Sequence, residues 1–299
     1  ALARCRDPQY VAAALRSAGL PAPAVTEAAE QSSPARRWLL KPRRSAGGNG
    51  IRFWTPKDDS WNKNDVYCQE FIEGQPLSLL FLGDGRTAYL LGGTRQLVGE
   101  PWLHAAPFHY CGSIGPLAAG LVQRPSLAAL GHVLASQCML KGLFGVDGVL
   151  RDGTFWPVEI NPRYSASVEV LEHALGTPML QWHAHVFTHH RLPDRPVHTA
   201  DHSRAIGKAI LFARADLHFP ADGPWLAELR SPKPVQLLPG FADIPAAGER
   251  IDKGKPILTF FAAADSLSAC EEALRQIAVD LDRWLFGRYT RTGSCEARP

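Results

Sequence analysis

Residues 145–151 and 155–161 are two short apolar stretches separated by Asp152-Gly153, and this pairing constrains the fold more than any other segment. Asp-Gly between two such runs signals a two-residue hairpin, because both residues tolerate positive φ. Strand side chains alternate between faces. In antiparallel neighbours joined this way Asp147 and Glu159 can lie across from one another on one face, and Asn161, two residues past Glu159, points the same way. Two carboxylates and an amide oxygen there make an oxygen-only wall, suited to Mg²⁺ held together with phosphate oxygens. Arg163, two residues beyond, adds a planar fork for a carboxylate or phosphate. The plainer reading is a strand with solvated or ion-paired acids that ends in an Asn-Pro turn. The hairpin alone leaves both readings open.

Composition narrows the class. The chain has 299 residues, 45% of them hydrophobic, with a net charge of +3. That is an ordinary globular composition with enough length for one large domain or two to three smaller ones. The only basic clusters are Arg36-Arg37 and residues 41–44, so nucleic acid is not an expected partner. No stretch approaches the ~18 apolar residues of a membrane span. The six cysteines (5, 68, 111, 138, 270, 295) contain no Cys-x-x-Cys pair, which points to free thiols and a cytoplasmic location. His185 and His189 have ligand-like spacing among His183, His190, His198 and His202, but no metalloprotease Glu accompanies them. They are expected to be packing or surface residues.

Local signals give a coarse map. Helices are predicted over residues 8–19, 126–141, 165–175, 178–190 and 268–285, the last opened by a capping box at Ser268. Strands are predicted over 38–41, 51–54, 66–72, 77–82, 87–91, 145–151, 155–161, 205–213 and 256–261. A polar, Pro-containing stretch over 192–203 reads as a linker, and the tail from Arg288 as loose.

Two further segments carry chemistry in context. Residues 45–50 hold Gly47, Gly48 and Gly50 between two strands, just after Lys41. Such a loop is either a plain hairpin turn or a cradle whose backbone N–H groups reach a phosphate, with the lysine beside it. It is not a Walker A loop, because the lysine precedes the glycines. Gln69-Glu70-Phe71-Ile72-Glu73-Gly74 is either an ordinary strand end or an edge that meets a nucleotide base.

Lys41-Pro with its glycine loop, then Gln69 to Gly74, then Asp147…Glu159-x-Asn161-Pro-Arg163 occur in one order, and over residues 1–190 this set resembles the ATP-grasp superfamily. The wider sequence looks closest to its carboxylate–amine ligases and to carboligases related to biotin carboxylase. The resemblance implies an α/β (α+β) ATP-grasp fold, two subdomains clasping ATP. The boundaries expected are 1–74 and 75–192, then a linker at 193–204 and a small β-rich C-terminal domain at 205–299. It implies phosphate contacts from Lys41, Gly47, Gly48 and Gly50, adenine contacts from Gln69, Glu70 and Ile72, and Mg²⁺ (or Mn²⁺) ligands Asp147, Glu159 and Asn161. Arg163, with Lys41, takes a catalytic role beside the acyl phosphate. The implied reaction activates a carboxylate with ATP and passes it to an amine. A bicarbonate-dependent carboligase and an inactive ATP-binding protein are the alternatives.

Three departures from the family pattern stand out. A second lysine is missing near residues 4–8, where Arg4 or Arg6 stands in. Pro76 occupies the position of a ribose-binding acid. The family's nucleotide-fold-like N-terminal domain, about a hundred residues in size, is expected either upstream of Ala1 or on another chain. The expected partners are a small carboxylate and an amine, with a homodimer or that domain on another chain. One position bears on the chemistry: carboxylases of this type place an acidic base four residues after the arginine, and here that residue is Ser167, with Glu169 two further on. Serine cannot act as that base at neutral pH.

Overall fold

The computed structural model describes residues 2–27, 36–55, 62, 64–122, 124–194, 204–231, 234 and 237–287. His198, His202, Cys295, most of the expected linker and the tail from Arg288 lie outside the described residues. Two short helices, α1 (Leu2–Cys5) and α2 (Pro8–Ser17), open the chain. Asp7 caps α2 by accepting the Gln9 and Tyr10 N–H groups, with Pro8 in the first turn. A small sheet follows, built from β1 (Val25–Thr26), β2 (Trp38–Pro42), β3 (Arg52–Phe53) and β4 (Val66–Glu70) in the order β1-β4-β2-β3.

At Gly74 the chain leaves this sheet and enters a second one. A Cβ there would lie 2.4 Å from the Leu150 carbonyl oxygen, so only glycine passes. The second sheet takes β5 (Gln75–Asp84), β6 (Ala88–Val98), β7 (Tyr110–Gly115), β8 (Lys141–Arg151), β9 (Thr154–Asn161) and β10 (Ala205–Phe212). Past β11 (Leu217–His218), it also takes β12 (Phe241–Ala242) and, past β13 (Arg250–Ile251), β14 (Pro256–Ala264). The order is β12-β14-β10-β7-β6-β5-β8-β9, with every pairing antiparallel.

Period-2 alternation gives this sheet two buried faces. Leu77, Leu79 and Phe81 pack with Leu127, Leu130 and Leu134 of α4 (Pro125–Cys138), which follows the one-turn α3 (Ala119–Val122). Leu80 and Leu82 point the other way, onto Val168, Leu171 and Leu175 of α5 (Ala166–Leu175) and Met179 and Val186 of α6 (Met179–His189). After α7 (Leu226–Arg230), α8 (Leu267–Phe286) covers β10 and β14 through Cys270, Leu274, Ala278 and Leu281.

Three sequence expectations change here. The helix expected to reach residue 141 stops at Cys138, Met139 takes the left-handed cap, and Lys141 already starts β8. The cap of α8 is Ser266, whose hydroxyl accepts the Ala269 N–H, rather than Ser268. The segment from Ala205 shares the main sheet, because β10 pairs with β7 over Ile206 to Ala209. β7 itself, Tyr-Cys-Gly-Ser-Ile-Gly, is too glycine-rich to read as a strand from sequence.

Candidate active site

The expected hairpin is present, and its register sets the carboxylates. Asp147 pairs directly with Glu159 and Gly145 with Asn161. The pairing slips beside them: Gly148 faces Pro157, which leaves Val158 as the extra residue of a bulge. Proline cannot donate to a ladder, so a bulge is where it is tolerated in a strand. The Val158 carbonyl is turned to the small sheet, where it accepts from Lys41 Nζ at 3.2 Å and Gln69 Nε2 at 3.3 Å. Lys41 Nζ also donates to Gln69 Oε1 at 3.0 Å. The bulge thus ties the two sheets together at the expected phosphate lysine.

Around Asp147 the contacts are tight. Asn161 Nδ2 donates to Asp147 Oδ2 at 2.9 Å, and Arg163 Nη2 lies 3.4 Å from Asn161 Oδ1. Burial, and then the charge of Glu159, push the Asp147 carboxyl up to about 6, against hydrogen bonds from Ser78 and Gln96. Glu159 is exposed beside it and Asn161 is buried. No cluster of three or more His, Cys, Asp or Glu that could hold a metal occurs among the described residues. The candidate oxygen donors on this wall are the Asp147 and Glu159 carboxylates and the Asn161 amide oxygen. Hard oxygen donors with crowded negative charge fit Mg²⁺ bound together with phosphate oxygens.

These residues border a cavity of 780 Å³ between the sheets. Lys41, Gly47, Gly48, Gln69, Glu159, Asn161 and Arg163 line it. Gly50, Glu70, Ile72 and Asp147 do not. The Glu70 carboxylate is taken up by the Ala24 N–H at 3.0 Å and by Arg36 at 3.6 Å, and Ile72 is core. Of the two arginines proposed to replace the missing lysine, Arg6 lines the cavity, whereas Arg4 donates to the Gln137 carbonyl. Sequence reading missed Tyr67 and Arg44, which also line it. Tyr67 shares its strand face with Gln69 and pairs with Lys41, so alternation could have found it. Among the described histidines, His183 Nδ1 accepts the Leu143 N–H at 3.1 Å, the His185 and His189 rings stack at 4.2 Å, and His189 and His190 are exposed.

Beyond Asp147 the same sheet face stays polar. Register carries it through Ser78, Thr94 and Gln96 to Ser113 and Lys208. Ser167 is buried with its hydroxyl 3.5 Å from Ser113 Oγ, which lies 2.9 Å from the Tyr110 hydroxyl. Glu169 is held by Lys208 Nζ at 2.6 Å. Neither residue presents a free carboxylate past Arg163.

A family profile described as ATP-grasp domain matches residues 5–167. The chain belongs to the ATP-grasp family. A curated relative, 3-methyl-D-ornithine–L-lysine ligase of Methanosarcina barkeri, is 25% identical to this ATP-grasp chain over 176 residues, 58% of this chain and 44% of the relative. The chain thus spans under half of that relative's length. Among solved structures, an L-amino acid ligase from Bacillus licheniformis superposes with a TM-score of 0.68 at 16% identity, over 93% of this chain and 71% of that one. Biotin carboxylase from Campylobacter jejuni gives 0.63 at 14% identity, over 92% and 66%. N5-carboxyaminoimidazole ribonucleotide synthetase from Thermotoga maritima gives 0.61 at 16% identity, over 92% and 71%. At these identities the structural likenesses speak to the ATP-grasp fold. Among the described residues no helix is long and apolar enough to cross a membrane.

Proposed function

We propose that the chain is the ATP-binding part of a carboxylate–amine ligase, which activates a carboxylate with ATP and transfers the acyl group to an amine. The observation that carries this reading is the fate of the two candidate bases: Ser167 faces Ser113 in the core, and Glu169 is spent on Lys208. A carboxylation that needs a free acid past Arg163 finds none there. An amine in its neutral form brings its own lone pair, and the proton it sheds on forming the amide can pass to the departing phosphate, so a site that orients it suffices once it is deprotonated. The curated relative, named as a lysine ligase, supports the same chemistry.

In this reading Lys41, fixed by Gln69 and Val158, meets the phosphates, and the backbone N–H groups of Gly47 and Gly48 lie over them. Asp147, Glu159 and Asn161 would hold Mg²⁺, which supplies charge neutralisation during phosphoryl transfer. Arg163, exposed at the cavity wall, orients the carboxylate whose oxygen attacks the γ-phosphorus. The amine then attacks the acyl carbon, the carbon–oxygen bond to phosphate breaks, and inorganic phosphate leaves as the amide forms. Gln69, Glu70 and Ile72 remain the proposed base-contacting segment, Glu70 through its backbone.

The test is phosphate release with ATP and Mg²⁺ across amino acids and simple amines, with bicarbonate as a separate arm. Release that requires both an organic carboxylate and an amine is expected. Release with bicarbonate alone would mean a carboligase, and ATP binding without release under any condition a nucleotide-binding protein. One consequence concerns stability. Lys208→Gln leaves Glu169 half-buried without its cation, and is expected to cost ~1–3 kcal/mol in chemical denaturation. An unchanged midpoint would mean the pair is not formed in solution.

A further inference from the structure

Residues 99–109 connect β6 to β7, and the glycine loop rests against them. The connection is fixed on its outer side to α8. His104 Nε2 lies 2.9 Å from Asp282 Oδ1, and Arg275 sits over the Trp102 ring, 4.6 Å from its centroid. Trp102 Nε1 in turn donates to Glu100 Oε2 at 2.8 Å. Near the inner end Phe108 has a φ of 65°, in the left-handed region that a bulky residue enters only when its surroundings hold it there.

That conformation brings the Phe108 carbonyl against the glycine loop. A Cβ on Gly48 would sit 1.9 Å from the Phe108 oxygen, so no other residue allows the contact. One residue away, the Tyr110 N–H donates to the Gly47 carbonyl at 3.0 Å. The Phe108 ring meets Phe53 edge-on at 5.4 Å and Phe71 at 6.5 Å, and those two meet at 5.1 Å. The Arg37 guanidinium covers both, at 4.4 Å from Phe53 and 4.6 Å from Phe71. Phe53 lies on the strand that leaves the loop and Phe71 just past β4, so the cluster joins both sides of the small sheet to the large one.

We propose that Phe108 is a positioning residue that latches the glycine loop against residues 99–109, with Arg37 securing the aromatic group. This rests on the reading of residues 45–50 as the loop over the phosphates, and adds what holds them there. The benefit is chemical. If water reaches the acyl phosphate before the amine does, the carboxylate is regenerated, phosphate leaves, and one ATP is spent with no amide formed. A latch within the protein keeps the loop down through that interval. Because α8 anchors residues 99–109, the C-terminal segment takes part in the latch.

The decisive readout needs no substrate. In the full chain, hydrogen exchange at the Tyr110 amide reports its bond to Gly47, and the Ile114 amide of the same strand reports folding. Phe108→Ala and Gly48→Ala are each expected to speed Tyr110 exchange at least tenfold while Ile114 stays slow, and Phe108→Tyr to retain the protection. In turnover, Phe108→Ala should raise the ratio of ADP released to amide formed, where a general loss of folded protein would leave that ratio alone. Equal Tyr110 exchange in the parent and both variants would overturn the latch. Slow exchange in a parent protein that turns over no substrate would instead overturn the ligase reading and leave the latch standing.

Discussion

Glu159→Gln is expected to lower Mg²⁺-dependent ATP turnover at least a thousandfold, a loss of about 4 kcal/mol in transition-state stabilisation, with little change in thermal midpoint. Glu159 is exposed, so removing its charge disturbs no packing. Asp147→Asn should be as damaging to turnover, yet it separates from Glu159→Gln in the metal-free protein. The Asp147 carboxyl is raised to about 6 by burial and by Glu159. A raised carboxyl contributes stability that is full below its unfolded value and is lost as pH rises through the folded one. The parent protein should therefore lose on the order of 1–3 kcal/mol between about pH 4 and pH 7 from this group. Asp147→Asn removes that slope. Denaturation curves at the two pH values check it, and an identical pH slope in parent and variant would mean that Asp147 is not buried as described.

Lys41→Met should lower kcat/KM for ATP a hundred- to a thousandfold, about 3–4 kcal/mol. Lys41→Arg is expected to rescue little. The ammonium is buried, within hydrogen-bond reach of Gln69 Oε1 and the Val158 carbonyl, and a planar fork cannot reproduce that point contact. The companion change Gln69→Leu tests the same arrangement, because it removes one of the lysine's two acceptors, leaving the Val158 carbonyl, without removing its charge. It should raise KM for ATP more than it lowers kcat. Full activity in Lys41→Met would place the phosphates elsewhere in the cavity.

The hairpin was legible because its signals are local. Asp152-Gly153 determines the turn, and the turn pairs Arg151 with Thr154; the bulge at Val158 then shifts the register by one, which puts Asp147 opposite Glu159. The same holds for the order of Lys41 and its glycines. What escaped depends on contacts distant in sequence. Pro157 marks a bulge beside Val158, but nothing near it announces that the Val158 carbonyl turns to Lys41, 117 residues away. Glu169 looked available as a base because Lys208 lies on a strand of the C-terminal segment, 39 residues on. β7 hid behind its glycines, and with it the continuity of the main sheet into β10. Glu70 looked free because Arg36 and Ala24, which occupy its carboxylate, are brought to it by the sheet and not by the sequence.

The most direct test of carboxylate activation follows oxygen. The protein is incubated with ATP, Mg²⁺, an amine and an organic carboxylate labelled with ¹⁸O, and the released phosphate is analysed by mass spectrometry. Ligation through an acyl phosphate leaves one carboxylate oxygen on phosphorus, so each phosphate is predicted to carry one ¹⁸O, in step with amide formed. Unlabelled phosphate, or label that enters only from bicarbonate, would contradict it.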